Sequence, residues 1–533
     1  MSGNNVAKET EGKSTGKQVA EMTVGAMILY SVPNIGSMIL DTVFEQFGAV
    51  LYVDHKLITV PILYGIAVMI ARVFFDAFAN PVVGYLSDTG YGKRGRRIPF
   101  VLKGTLPMVL FFILFFIPVS KTAFFQNIFG NETKTVAASH ENYSVNDEEG
   151  TLAIDYSFDV RVGGSETPAV AGAEGVATEP EGGHEQDSVK QKKFSELSPA
   201  EKKKNVFNFI YATITLCMFL FLFTYVVAPY LALLPDLARR SDTRVKLSTF
   251  QAITGIIGTA IAFVACGAVV QQFLDKGYSS FSYTWMAVIF GILSLITFYL
   301  MAFTIKEKPI AKEDRVKLKF WECVIPALKS KAFLIYIFSI SSFWVGFKVL
   351  QTSVIFVCKH MFGMSETFGS VTGMGGMMLV WLISTPFVFM VQKKFGKRAV
   401  FGFSLLIIAI LSSLQGLIGL IPHEFGLIYY LVLLFIFGMP FAALLVLYNA
   451  VLGDIIDLDE KQTGYRREAM YYGMEGLFTK TARGLGAFMV MLLFQLFGTP
   501  SPANHMALVI SGPVCGIFAF LGFVLFLRYP IKD

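Results

Sequence analysis

Long apolar runs alternate with short polar breaks along most of the chain. Twelve runs reach the roughly 20 residues that an α-helix needs to cross a hydrocarbon layer about 30 Å thick. They are 23–52, 57–86, 99–120, 206–235, 248–273, 283–305, 333–358, 369–392, 398–421, 427–453, 470–498 and 504–529. Several contain Gly or Pro, which membrane helices tolerate because neighbouring helices re-satisfy the freed backbone groups. Some exceed a straight span, which predicts tilt or short extensions into the loops. The pattern predicts an all-α membrane protein with twelve transmembrane helices.

The breaks predict its orientation. Alternate short loops at 87–98, 237–247, 306–332, 393–398 and 454–469 hold 23 Lys and Arg, against only Lys56, Lys276 and Lys359 in the short loops of the other side. Because basic loops stay on the cytoplasmic side, both termini are expected there. The densest loop, DTGYGKRGRRIPF from Asp88 to Phe100, packs Lys93, Arg94, Arg96 and Arg97 into five positions. An anchor alone would need neither its glycines nor the flanking Asp88.

The spacing of the runs divides the chain. A cytoplasmic tail (1–22) precedes a six-helix half at 23–305. A central loop at 306–332 leads to a second half at 333–529, with a short tail at 530–533. The first ~20 residues are polar, so the first apolar run, not a cleavable leader, is the expected insertion signal. Between the third and fourth spans lies an extracytoplasmic insert, 121–205, whose middle is rich in Gly, Ala, Glu and Thr. That composition suits a mobile accessory segment. TLAIDYSFDVRV within it could pair as strands, and Asn131 and Asn142 open glycosylation sequons. Ser198 followed by Pro199 predicts a helix start ahead of the fourth span. YGKRGRR after the second span reappears as FGKRAV after the eighth, and LLPDLARRSDTR after the fourth resembles VLGDIIDLDEKQTGYRR after the tenth. Related loops in equivalent places indicate parallel six-helix repeats, the layout of major-facilitator transporters, with a substrate cavity between them.

Composition agrees. The chain is 54% hydrophobic with a mean hydropathy of +0.58 and only 16% charged residues, against about 25% charged in soluble domains. A net charge of +6 over 533 residues does not imply nucleic-acid binding. The five cysteines (Cys217, Cys266, Cys323, Cys358, Cys515) form no CxxC or Cys/His group, so neither a disulfide framework nor a metal site is expected. No nucleophile–base set or phosphate loop is present, so no enzymatic activity and no cofactor are expected.

Ionisable groups inside spans are costly, which makes each a candidate for function. In the second span Arg72, Asp76 and Asn80 follow at i, i+4 and i+8 and would stack on one face of a regular helix. They could form a buried ion pair, a cation or proton site, or both. In the eleventh span Glu475 and Lys480 lie about 140° apart on the helix, so Lys480 is free to meet Asp76 across the cavity. The first span offers Asn34 and a one-turn pair, Asp41 and Glu45, expected to share a water-lined face. The seventh offers Trp344, Lys348 and Gln351.

RVFFDAFANPVVGYLSDTGYGKRGRRIPF and the stretch Gly453–Gly486 resemble the second-span and eleventh-span motifs of the glycoside–pentoside–hexuronide:cation symporters, the melibiose-permease group. The basic loop is also similar to that of sucrose transporters. The resemblance implies the major facilitator fold and symport of a sugar or glycoside with a cation. It further implies a cation-coupling carboxylate at Asp76, and from their places in the spans Asn80, Arg72 and Glu475 are expected to share in cation or proton coupling. The expected substrate contacts are Lys480, Asn34, Tyr230, Gln251, Trp344, Lys348 and Gln351.

The sequence departs from that family at Asn80, where a second carboxylate is usual. It also departs at Val227 and Ala228 before Pro229-Tyr230, where an aspartate is common, and at Gln251 in place of an arginine. These changes weaken the case for sodium and for galactoside-like substrates, and proton coupling or facilitated diffusion is expected ahead of sodium. Lysolipid-like or other amphipathic solutes, or a non-transporting solute sensor, are the alternatives. A cytoplasmic latch between the halves is expected from Asp88, Arg94, Arg96 and Arg97 with Asp454, Asp457, Arg466 and Arg467. The expected partners are a small solute, a proton or sodium ion and the bilayer, in a monomer of the plasma membrane.

Overall fold

The structure, a computed structural model, describes residues 23–89, 94–122, 194–237, 241–277, 281–307, 328–463 and 468–531. Most of the expected insert and central loop, Arg466, Arg467 and the side chain of Asp88 lie outside the described residues. Twelve helices are long and apolar enough to span a membrane. They are α1 (Val24–Asp54), α2 (Pro61–Gly84), α3 (Ile98–Phe115), α4 (Pro199–Leu234), α5 (Lys246–Asp275) and α6 (Phe281–Thr304), then α7 (Lys331–Met361), α8 (Glu366–Phe395), α9 (Lys397–Leu420), α10 (His423–Gln462), α11 (Tyr471–Phe497) and α12 (Met506–Phe526). Among the described residues β pairing is limited to a bridge between Ser501 and Asn504.

Helices α4 and α10 outrun their apolar stretches because local signals extend them into polar sequence. At the start of α4 the Ser198 hydroxyl accepts from the Glu201 N–H at 3.2 Å, while the Glu201 carboxylate accepts from the Ser198 N–H at 2.9 Å. This reciprocal cap, with Pro199 in the first turn, starts the helix seven residues ahead of the apolar run. The outer surface is apolar: Leu106, Ile214, Ile296, Ile383, Phe403 and Ile517 are each more than half exposed. Large hydrophobes belong on a surface that faces lipid and not water.

Packing repeats between the halves. In the N-terminal half α1 packs on α5 and α6, α3 on α4 and α6, and α2 on α4. In the C-terminal half α7 packs on α11 and α12, α9 on α10 and α12, and α8 on α10. Adding six to each helix number converts the first set into the second, as two parallel six-helix repeats require. Across the junction α2 meets α11 and α5 meets α8, again an exchange of equivalent helices, and α1 meets α7.

Two glycines permit the closest approach across this junction. A Cβ at Gly65 would stand 2.8 Å from the Met491 Cβ, and one at Gly267 would stand 2.9 Å from the Thr367 Cα. Both sit toward the end of the bundle opposite the basic loops, where small residues let helices touch through their backbones. Gly267→Val is expected to wedge α5 from α8 and loosen that end. Hydrogen–deuterium exchange should be faster in peptides covering 54–60 and 357–366. Unchanged exchange would show that the contact does not hold this end shut.

Candidate functional site

At the junction, charged side chains from four helices form one connected network. Arg72 on α2 donates to Asp76 Oδ2 at 2.7 Å, to Asp41 Oδ1 on α1 at 3.1 Å, and to Glu45 Oε1. Lys348 on α7 pairs with Glu45, and Lys480 on α11 reaches Asp76 Oδ1 at 2.6 Å. Thr224 on α4 also donates to Asp76 Oδ1, at 2.7 Å, and accepts from Lys480 at 3.2 Å. Arg72, Asp76, Glu45 and Lys348 are all buried. Three cations thus meet three carboxylates, and the Glu45–Lys348 and Asp76–Lys480 pairs join the two halves. In a low-dielectric interior each charge is tolerable only because its partners are in place.

Local backbone shape places these groups. Residues Ala71–Ala77 of α2 form a wider π-helical turn that carries both Arg72 and Asp76, a form of irregularity often found at functional sites. Room for Arg72 comes from Gly484 on α11, where a Cβ would lie 2.8 Å from the Arg72 Cβ. Asn80 lies beside Gly476 and makes no hydrogen bond to Asp76 among the described residues. Asp76 itself has both carboxylate oxygens engaged. Glu475, by contrast, is buried, has no ion pair among the described residues, and its Oε1 lacks a hydrogen-bond partner there.

Beside the network lies a cavity of about 320 Å³. Trp344, Lys348 and Gln351 line it as expected, together with Asp41 and Glu45 of α1 and Arg483 of α11. Methionines 374, 377 and 378 and the rings of Phe263, Phe347, Trp381 and Phe441 form most of the remaining wall. The other expected substrate contacts are engaged elsewhere. Asn34 donates to the Gln251 carbonyl at 2.6 Å, Tyr30 donates to the Tyr230 carbonyl at 3.0 Å, and the Gln251 amide donates to both tyrosine hydroxyls. These bonds tie α1 to α4 and α5 within one half, outside the lining of this cavity. Lys480 is held by Asp76 and Thr224.

The ends of the bundle differ. Opposite the basic loops, Asp54 of α1 pairs with Lys359 and, at 2.8 Å, with His360 of α7. Lys359 also reaches Glu366 of α8 at 2.7 Å, and Glu366 accepts from Tyr283 of α6 at 2.5 Å. This cluster closes the two halves on each other.

At the basic end Arg466, Arg467 and the side chain of Asp88 lie outside the described residues, and the described members of the expected latch are placed as follows. Gly95 has φ +92°, and a Cβ there would collide with Glu307. The Glu307 carboxylate accepts from the Arg97 and Ile98 N–H groups at 2.8 and 3.2 Å, lies 4.0 Å from Arg96, and so caps the start of α3. The Arg97 guanidinium donates to the Ala232 carbonyl of α4. These contacts join the basic loop and the start of α3 to α4 and to the first residues of the central loop. Arg94 is exposed, and so is Asp457. Asp454, expected as a partner across the junction, instead pairs at 2.6 Å with Lys397 of its own half.

Four features escaped the sequence reading. Arg483, in TKTARGLG, is an intramembrane charge three residues after Lys480 and was visible as such. Asp41 and Glu45, expected to share a water-lined face, both bind Arg72. Thr224 gives no sequence signal because a lone Thr in an apolar span usually bonds its own helix. The Asp54 cluster reads as loop residues until α1 and α7 are seen to meet.

Twelve apolar helices in two repeated bundles, with buried ion pairs and a cavity at their junction, make a multi-pass integral membrane protein with the layout of a secondary transporter. The sequence profile of the MFS/sugar transport protein family matches residues 29–129 and 198–533, and the chain belongs to that family. It is 23% identical to an uncharacterized symporter of Synechocystis over 88% of this chain and 87% of that one. It is 22% identical to the isoprimeverose transporter of Lactiplantibacillus pentosus over 53% of this chain and 58% of that one. Among solved structures, a D-xylose–proton symporter superposes with a TM-score of 0.55 at 15% identity, covering 94% of this chain and 97% of that one. A nucleoside transporter gives 0.56 at 14% identity, with 94% and 99% covered.

Removing one partner of a buried pair leaves its counter-charge stranded, at a cost of about 3–5 kcal/mol. Asp76→Asn is therefore expected to lower the Tm of the purified protein clearly. Adding Lys480→Gln should recover part of the loss, since it removes one stranded cation. A double variant no more stable than the single one would contradict the pairing.

Proposed function

We propose that the protein is a proton-coupled symporter of a sugar- or glycoside-type solute, working by alternating access in the plasma membrane. What carries this reading is the charge network that joins the halves directly beside the cavity. Moving one half against the other must remake the Glu45–Lys348 and Asp76–Lys480 pairs, so solute and proton can act on one conformational equilibrium. The closed Asp54 cluster lies away from the basic loops. With those loops and both termini cytoplasmic, the state described is shut toward the outside. The chain works as a monomer, and the 121–205 insert is accessory.

Glu475 is the first candidate to carry the proton, because Asp76 can accept one only by giving up Arg72, Lys480 or Thr224. Asn80, remote from Asp76 in bonding terms, offers no second ligand for sodium there. Lys480 acts by releasing and recapturing Asp76 as the site opens. A second reading, an amphipathic solute, is favoured by the methionine and aromatic lining of the cavity.

Uptake into proteoliposomes tests the coupling. An inward pH gradient, with voltage clamped and sodium absent, should drive accumulation. Glu475→Gln should abolish that accumulation while leaving downhill counterflow. Lys480→Ala should also lose accumulation without loss of expression. Strong sodium-driven accumulation at constant pH would overturn the proton assignment, and accumulation by Lys480→Ala would remove the lysine from coupling.

A further inference from the structure

The six-membered network is balanced within itself: Arg72, Lys348 and Lys480 face Asp41, Glu45 and Asp76. Arg483 is the cation outside it. Among the described residues it has no hydrogen bond and no ion pair, and its guanidinium lies over the Trp344 ring at 4.1 Å. Its Nε is buried without an acceptor, and the Trp344 Nε1 is likewise buried without one. Both side chains line the cavity. Asp41, the nearby carboxylate of the same wall, is already bound by Arg72 at 3.1 Å.

A membrane-embedded guanidinium that feels Asp41 and Glu475 but is bonded to neither is a costly arrangement, and two neighbouring donors without acceptors compound it. Resting on the reading of this cavity as the transport site of an amphipathic solute, we propose that the solute carries an anionic group, a carboxylate or phosphate-type oxyanion, that binds Arg483 together with the Trp344 N–H. A planar guanidinium can give an oxyanion two parallel hydrogen bonds while its face stays stacked on the indole, which a lysine could not do. The remainder of the solute is apolar. Neutral polar side chains on the wall are limited to Thr42, Thr259 and Gln351, and the Gln351 oxygen accepts from Lys348 at 3.4 Å. A polyhydroxylated body would find Asp41, Glu45 and Lys348 already engaged with Arg72 and with one another. The methionine side chains, unbranched and polarizable, fit an apolar body of variable shape.

The test uses isosteric pairs that differ in charge: benzoate with benzamide and hexanoate with hexanamide, and phenyl phosphate as the phosphate arm. Binding to the full-length protein in lipid nanodiscs is read by tryptophan fluorescence. At least one acid should bind about tenfold or more tightly than its amide. Arg483→Gln should erase that difference, and Arg483→Lys should restore part of it. Phenyl phosphate binding more tightly than benzoate would assign the phosphate-type oxyanion, and the reverse the carboxylate. Should Arg483→Gln fail to fold, Trp344→Phe keeps the aromatic face but removes the N–H, and should weaken the acid more than the amide. Amides that bind as well as the acids, or an acid preference that survives Arg483→Gln, would overturn the proposal. If no probe of either kind binds while a neutral glycoside does, the anion proposal falls and the cavity stands as a sugar site; if neither the probes nor glycosides bind, the cavity is not the transport site.

Discussion

A guanidinium in the middle of a membrane span dictates what must surround it. Arg72 cannot move to the headgroups, so it draws Asp41, Glu45 and Asp76 to itself. Those three carboxylates are more than one cation can balance. The deficit is met from the other half, by Lys348 on α7 and Lys480 on α11. The electrostatics of a single buried residue therefore oblige the two bundles to meet at this point. The π turn at Ala71–Ala77 and the bare backbone of Gly484 provide the space for that meeting.

The rest of the junction follows from where contact is made. Gly65 and Gly267 bring the halves together on one side of the network, and the Asp54 cluster seals that side. On the other side, Glu307 and Gly95 fold the basic loop onto its own half. The loop's charges thus organise the start of α3 as well as marking orientation. The repeated FGKR loop makes a comparable local tie through Lys397 and Asp454. Each bundle is braced separately, as two bodies that move against one another must be.

The fold was legible because lipid imposes a simple code: about 20 apolar residues per span, with polar breaks between. The overruns at α4 and α10 came from caps and charged helix formers that hydropathy ignores. Within the site, Asp76 with Lys480 could be read because two charges in spans need each other. The destination of Asn80 could not, since nothing in its own span marks the Gly476 of α11 that it lies beside. Asn34, Tyr230 and Gln251, expected as solute contacts, bond between helices in this conformation. Polar residues in spans serve both purposes, and only the neighbouring helix decides which. Arg483 was legible as a charge, but its place outside the network became evident only when Arg72, Lys348 and Lys480 had found their partners.

The central claim is that the ion pairs across the junction hold this conformation. Spin labels at Lys56 and Ser365, one on each half at the sealed end, report its opening by double electron–electron resonance. With Lys348→Gln and Lys480→Gln together, both cross-junction pairs are lost, and a longer-distance population should grow at the expense of the short one. A distance distribution identical to that of the unsubstituted protein would contradict the claim.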